Sequence, residues 1–295
     1  MLGLGIAIAA ISFAAIFIRL AAAPPALVAA LRMVFSSLVL LPAVLRSRRA
    51  RSEIAGLTAR DASLVLLSGM FLAMHFMFWI TSLSLTGVTS SVVFVTTNPL
   101  FVALYSVLVF RERVSRTFWI GLAVALVGGM VLGGGDILEG GGRWKGDALA
   151  LAGSVAAAGY FLVGSRLRRR LGLLSYIFPV YAIAACMLVV VTLSLRIPLA
   201  VYGIKTYLYC ALLALVCQLL GHSLFNWALR HLHATTVTFG SLGEPVGSSI
   251  LALLILGEVP GWAAIAGGAT ILAGMYIVLY YNPQVTGAVG KEPSG

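Results

Sequence analysis

The chain has 295 residues, 61% of them apolar and 10% charged, with a net charge of +11 and a mean hydropathy of +1.05. A soluble domain carries about 25% charged residues, so this chain lacks the polar surface that water requires, and its continuous rather than alternating apolar runs exclude a membrane β-barrel. The basic residues sit in short clusters between apolar runs, which suits membrane topology better than a nucleic-acid surface.

A helix that crosses a bilayer needs about 20 apolar residues. Ten such runs follow one another, at roughly 2–20, 25–45, 62–83, 88–110, 117–134, 147–166, 173–195, 205–229, 234–256 and 260–280. The first is followed by "AAAPP" (Ala21 to Pro25), which resembles a signal-peptide cleavage region. The basic start of such a peptide is missing, so the run reads as a retained span with little or no tail before it. The stretch "GGGDILEGGGRWKGD" from Gly133 to Asp147 is the longest flexible connector and the natural midpoint. The expected organisation is a first half over 1–134, a Gly-rich linker over 135–146, a second half over 147–281 and a flexible tail over 282–295.

Charge sets the orientation. The loops on the side of the N-terminus hold 14 of the 20 basic residues, including Arg46, Arg48, Arg49, Arg51, Arg60 and the Arg166–Arg170 cluster. The other side holds five: Arg19, Arg143, Lys145, Arg196 and Lys205. Positive charge stays inside, so both termini are predicted to be cytoplasmic and the membrane to be a bacterial-type inner (plasma) membrane. Cys186, Cys210 and Cys217 all lie in apolar runs. They read as buried helix thiols with neither a disulfide nor a metal site.

Slid against itself by 146 residues, the chain matches at several positions. Pro99 falls on Pro245, Asn98 on Glu244, Glu112 on Glu258, Gly121 on Gly267 and Gly128 on Gly274. "MFWITSLSL" and "LFNWALRHL" also correspond, with a small shift. Each half then holds five spans, and an odd number inverts the second half. The fold class predicted is an all-α integral membrane protein: ten transmembrane helices in two inverted five-helix repeats around a central cavity.

The "NP" and "EP" pairs inside spans four and nine, the glutamate closing each of those helices and the glycines at seven-residue spacing in the next resemble the drug/metabolite transporter superfamily, with halves similar to tandem EamA-type domains. The stretch "MHFMFWITSLSLTGVTSSVVFVTTNPLF" looks most like the YddG-type exporters of amino acids, including aromatic ones. The resemblance implies a secondary transporter working by alternating access. It leaves open an exporter of another small metabolite or drug, such as a cationic drug or a nucleotide sugar.

The residues point to candidate site positions on their own account. A proline removes one helix hydrogen bond and crowds the carbonyl four residues back, so Pro99 frees Val95 and Pro245 frees Ser241. At membrane depth such backbone persists only against protein or a wet cavity. Glu244 is the sole carboxylate deep in a span and must face inward. It either meets a substrate amino group, handles a proton, or makes a structural hydrogen bond.

Helical spacing adds Phe94, Asn98 and the more distant Tyr105 on span four, with Ser241 beside Glu244 on span nine. His75 and Trp79 share a face of span three. Gln218, His222 and Asn226 form a polar stripe on span eight, and span six offers Tyr160. Arg32, inside span two, either binds a substrate carboxylate, snorkels to the surface or pairs internally. Spans five and ten, rich in small residues, read as packing or dimerising elements, so the chain is expected to be a monomer or weak homodimer. The expected partners are an amino acid and the lipid bilayer, with no nucleic acid and no cofactor.

The chain carries no G-x-x-x-x-G-K-[ST] and so does not hydrolyse ATP by itself. A membrane enzyme acting on lipid would need clustered catalytic residues at an interface. A channel would need filter elements or charged rings. Neither pattern is present.

Overall fold

The computed structural model describes residues 2–108, 111, 114–138, 144–257 and 261–281, and the backbone alone at 133–138, 256 and 264. In chain order the helices are α1 (Leu2–Ala21) and α2 (Pro25–Arg46), a short α3 (Arg48–Ala55), α4 (Ala59–Ser82) and α5 (Val88–Leu108), then α6 (Arg116–Leu138). The second half follows with α7 (Trp144–Arg168), α8 (Leu173–Ser194), α9 (Ile204–Ala228) and α10 (Ala234–Ile255), and α11 (Trp262–Tyr281). Among the described residues, the eight besides α3, α6 and α11 are long and apolar enough to cross a membrane, while the apolar parts of α6 and α11, Arg116–Leu132 and Ile265–Tyr281, are shorter. Glu112, Glu258, linker residues 139–143 and the tail 282–295 lie outside the described residues.

Local chemistry sets the helix ends. Ala22 closes α1 in the left-handed region at φ 47, and Pro25 then opens α2 as a first-turn proline, where its missing N–H costs nothing. Ser47 caps α3 by accepting from the Ala50 amide at 3.1 Å, and Thr58 caps α4 by accepting from the Asp61 amide at 3.1 Å. The sequence reading leaves α3 as a connector. Its charged residues give no apolar period, and its cap supplies the helix start instead. Residues 135–138, assigned to the linker, continue α6 as far as Leu138, and Trp144–Gly146, assigned to it too, open α7, because backbone near lipid holds on to its internal hydrogen bonds.

The helices pack across the two halves. A Cβ on Gly128 would sit 2.6 Å from the Ile271 amide and 2.7 Å from the Gly267 carbonyl, and one on Gly121 would sit 2.7 Å from the Gly274 carbonyl. Residue 121 thus faces 274 and residue 128 faces 267, so α6 and α11 run antiparallel at backbone-to-backbone range. Between helices in lipid there is no water to expel, and close approach of small residues supplies the attraction. Three further seams are antiparallel as well, while α5 and α7 run parallel, Ser90 meeting Asp147 and Thr97 meeting Ser154. Thr192, late in α8, donates to the carbonyl of Ala26, early in α2, at 3.1 Å. Gly221 of α9 packs on Ile11 of α1, and Gly153 of α7 packs on His75 and Trp79 of α4.

The outward face is apolar: Leu38, Ile120, Val190, Leu254 and Leu272 are all exposed, as a surface bathed in lipid requires. Cys186, read as buried, is exposed there too, while Cys210 and Cys217 are buried.

Polar ties join the halves at both ends. At one end the Glu53 carboxylate accepts from the Gly172 amide, just ahead of α8, at 2.7 Å and from Arg49 Nε at 2.7 Å. Arg170 pairs with Asp61 at 3.1 Å. Burial by itself raises the Glu53 carboxyl, but hydrogen bonds from Arg49, Ser175 and the Gly172 amide outweigh it and hold the group down at about 2. Arg168, counted with the loop cations, is buried and donates to the Asn226 carbonyl at 2.9 Å and to that of Leu171. At the opposite end Asp147, in the first turn of α7, accepts from Thr86 and Ser90, each at 2.8 Å.

Candidate functional site

Both proline breaks lie at the centre of the molecule. Helix α5 is regular over Val88–Val95 and again over Asn98–Leu108, with Thr96 and Thr97 between. The Val95 carbonyl that Pro99 sets free accepts from Asn98 Nδ2 at 3.3 Å. Thr96 Oγ1 returns to the Val92 carbonyl at 2.8 Å, and Thr97 Oγ1 to that of Phe94 at 2.7 Å. Helix α10 tightens into a 3₁₀ turn over Gly240–Gly243 and restarts at Glu244 with Pro245 in its first turn. The breaks touch, because Asn98 Nδ2 also donates to Ser241 Oγ at 3.3 Å.

A small cavity of about 30 Å³ lies beside this contact, lined by Ile11, Ala14, Arg32, His75, Trp79, Val95, Thr96, Asn98, Ala157, Phe161, His222, Phe225, Ser241 and Glu244. One water needs about 10–15 Å³ by such a measure, so the space holds a water or two. Four lining pairs are separated by the 146-residue repeat: Ile11 and Ala157, Trp79 and Phe225, Val95 and Ser241, Asn98 and Glu244. The cavity thus straddles the midline between the halves.

Arg32 departs from that pairing. Its side chain is 0% exposed, which removes the snorkelling reading. Nε donates to Gln218 Oε1 at 3.0 Å, and the guanidinium lies 4.0 Å from the centre of the Phe76 ring, close enough for a cation–π contact. Its two terminal amino groups have no hydrogen-bond partner.

His75 stacks on Trp79 with ring centres 5.9 Å apart. Its Nδ1 lies 2.9 Å from the Gly153 carbonyl. A carbonyl only accepts, so Nδ1 carries the hydrogen. Trp79 Nε1 is buried without a partner.

Of the residues singled out from sequence, His75, Trp79, Asn98, His222, Ser241 and Glu244 line the cavity. Gln218 and Tyr160 stand one layer behind: Gln218 holds Arg32, and Tyr160 accepts from Asn226 Nδ2. Phe94 turns away and lines a separate apolar pocket with Leu100, Leu126 and Pro245. Tyr105 is exposed. The face assignment assumes an unbroken helix, and the turn at Thr96–Thr97 resets the rotation between Phe94 and Asn98, whereas Tyr105 lies two turns beyond Asn98 in the same regular stretch, towards the end of α5. Spacing overlooked Thr96, Phe161 and Phe225. Phe225 stands in "LFNWALRHL", the stretch that the repeat matches to the one carrying Trp79.

No group of three or more His, Cys, Asp or Glu among the described residues is arranged to hold a metal. What the cavity offers is a buried cation and a buried carboxyl between aromatic walls, a setting for a small polar molecule with an apolar part.

The profile of the EamA-like transporter family matches the chain in two stretches, residues 1–134 and 144–280. The Uncharacterized transporter YdeK of Bacillus subtilis (strain 168) is 29% identical over 205 residues, a segment that is 65% of this chain and 68% of that protein. A solved structure described only as the crystal structure of a protein superimposes with a TM-score of 0.78 at 20% identity, covering 95% of this chain and 98% of its own. At that identity the likeness is one of fold.

Proposed function

This chain belongs to the EamA-like transporter family, and from that premise we propose that it is a secondary transporter exporting amino acids, aromatic ones included, by alternating access between two inverted five-helix repeats. Multi-pass insertion follows from the family and from the apolar helices. The repeats, taken as 1–134 and 147–281, rock about the midline cavity in an inner (plasma) membrane, with both termini in the cytoplasm.

The observation that carries the reading is the cavity itself. It joins an unpaired cation, Arg32, and a carboxyl, Glu244, to the rings of Trp79, Phe161 and Phe225. A zwitterion with an aromatic side chain has the matching chemistry: carboxylate, ammonium and apolar ring. The ties at the two ends, Glu53 to Gly172 and Asp147 to Thr86 and Ser90, suit a cycle in which one end opens while the other stays joined. The self-matching contacts of α6 with α11 support the inverted arrangement. His75, Trp79, Asn98, His222, Ser241 and Glu244 are proposed to touch the cargo, with Gln218 and Tyr160 holding the walls. Transport draws on a gradient of the substrate or of protons.

The test is counterflow in proteoliposomes against a panel of amino acids, nucleotide sugars and cationic drugs. Exchange of phenylalanine, tyrosine or tryptophan is the expected result. Movement of drugs or nucleotide sugars alone would keep the family and discard the amino-acid assignment.

A further inference from the structure

We infer that Arg32 fixes the charge class of the cargo: its two unpartnered amino groups form a receptor for one carboxylate, so the cavity admits zwitterions and monoanions and discriminates against amines that lack the acid. This rests on the proposed amino-acid exporter and adds to it the residue that reads the acid.

An ion with 0% exposure needs partners for its donors, yet only Nε of Arg32 has one, Gln218 Oε1 at 3.0 Å. The two free amino groups are the end-on fork of the guanidinium, the pair of donors that grips a carboxylate with two parallel hydrogen bonds. The fork is held still. Gln218, from the other half of the chain, fixes its edge, and the Phe76 ring lies against its face at 4.0 Å. A side chain kept only to bridge helices would have its whole fork engaged.

The repeat strengthens the point. The repeat counterpart of Arg32 reads as Tyr181, so no second cation faces Arg32 across the midline. The Asn98–Glu244 pair instead sets its single acid in the second half. The cavity is therefore dipolar, and a ligand with one carboxylate and one ammonium has a preferred way round in it. Glu244 lines the same space and still takes no hydrogen bond from the Arg32 fork. The fork therefore remains available to a ligand.

The experiment uses the full chain in two assays. In proteoliposomes, counterflow of labelled phenylalanine is competed with phenylalanine and with phenylalaninamide, which keeps the ring and the amine and loses the carboxylate. Wild type is expected to prefer the acid by about tenfold or more, since a site built for a hydrogen-bonding group rejects ligands without it. Arg32→Gln is expected to bring the ratio to within about twofold, and Arg32→Lys to retain part of it, a point charge replacing a fork. A ratio is read only from protein that still transports, so it separates an anchoring role from a purely structural one.

In detergent, 3-phenylpropionate is expected to raise the unfolding temperature of wild type and not of Arg32→Gln. If no amino acid moves but this stabilisation is seen and needs Arg32, the anchor stands and the exporter reading falls. If amino acids move while the amide competes as well as the acid, or while Arg32→Gln leaves the ratio unchanged, the anchor falls and the exporter reading stands.

Discussion

Asn98 and Ser241 lie 143 residues apart and meet at 3.3 Å, side-chain amide to hydroxyl. The same amide reaches back at 3.3 Å to the Val95 carbonyl, which Pro99 left without its helix partner. One side chain therefore repairs the break in its own helix and binds that break to the other half.

Asn98→Ala removes both contacts at once and leaves a buried carbonyl unpaired. The expected cost is about 1–3 kcal/mol, read as a lower unfolding temperature of the purified protein, together with loss of counterflow. An unchanged unfolding temperature would mean that water takes over both hydrogen bonds.

The α6–α11 seam makes a sharper claim about size. Gly128→Leu drives a side chain into the backbone at Ile271 and Gly267, where nothing flexible can give way. A loss of about 1–3 kcal/mol is expected from overpacking, seen as poor recovery of folded protein. Gly203→Ala, where a Cβ meets nothing within 4 Å, is the control and should behave as wild type.

Glu244→Gln keeps the shape and removes the acid. Counterflow is expected to fall about tenfold or more, because a hydrogen bond to a charged partner is worth about 1.5–3 kcal/mol and each 1.4 kcal/mol is about tenfold. Full transport at every pH tested would exclude both a substrate-amine contact and a proton-handling role.

Glu53 carries a pH prediction. Its folded pKa of about 2 lies below the 4.5 of an ordinary glutamate, so the carboxylate stabilises the fold wherever it is ionised. That stabilisation is complete above about pH 4.5 and disappears as the pH falls towards 2. Comparing unfolding of wild type and Glu53→Gln should therefore show a constant gap at neutral pH that closes through that acidic window. A gap of the same size at pH 2.5 would contradict the assignment.

Orientation is open to direct labelling. In a background without the native cysteines, Ser84→Cys is expected to react with an impermeant maleimide added outside intact cells, and Arg170→Cys only after the cells are opened. The reverse pattern would turn the protein over in the membrane.

Much of this was legible in the sequence for simple reasons. Hydropathy marks helices because lipid tolerates no unpaired backbone, and the 146-residue offset carries the midline pairs because both halves fold alike. The prolines announced the breaks and even the carbonyl at Val95. Less legible was whatever depends on rotation about a helix axis. Phe94 lies four residues before Asn98 yet faces another pocket, since the turn at Thr96–Thr97 intervenes. Between Leu213 and His222, α9 widens into a π-helical stretch, and the three-to-four-residue template used for Gln218 and His222 does not describe such a turn. Arg32 was ambiguous because a long cation near a span end can reach the surface or turn inward. Gln218, 186 residues away, decides the matter, and no local pattern contains it.

The hollow at the midline has room for no more than a water or two. A hydrated ion does not fit, and neither does phenylalanine. Under the proposed alternating access, each passage would wait for whole helices to part, a movement of microseconds to milliseconds, and throughput would follow the pace of the scaffold rather than diffusion along a pore.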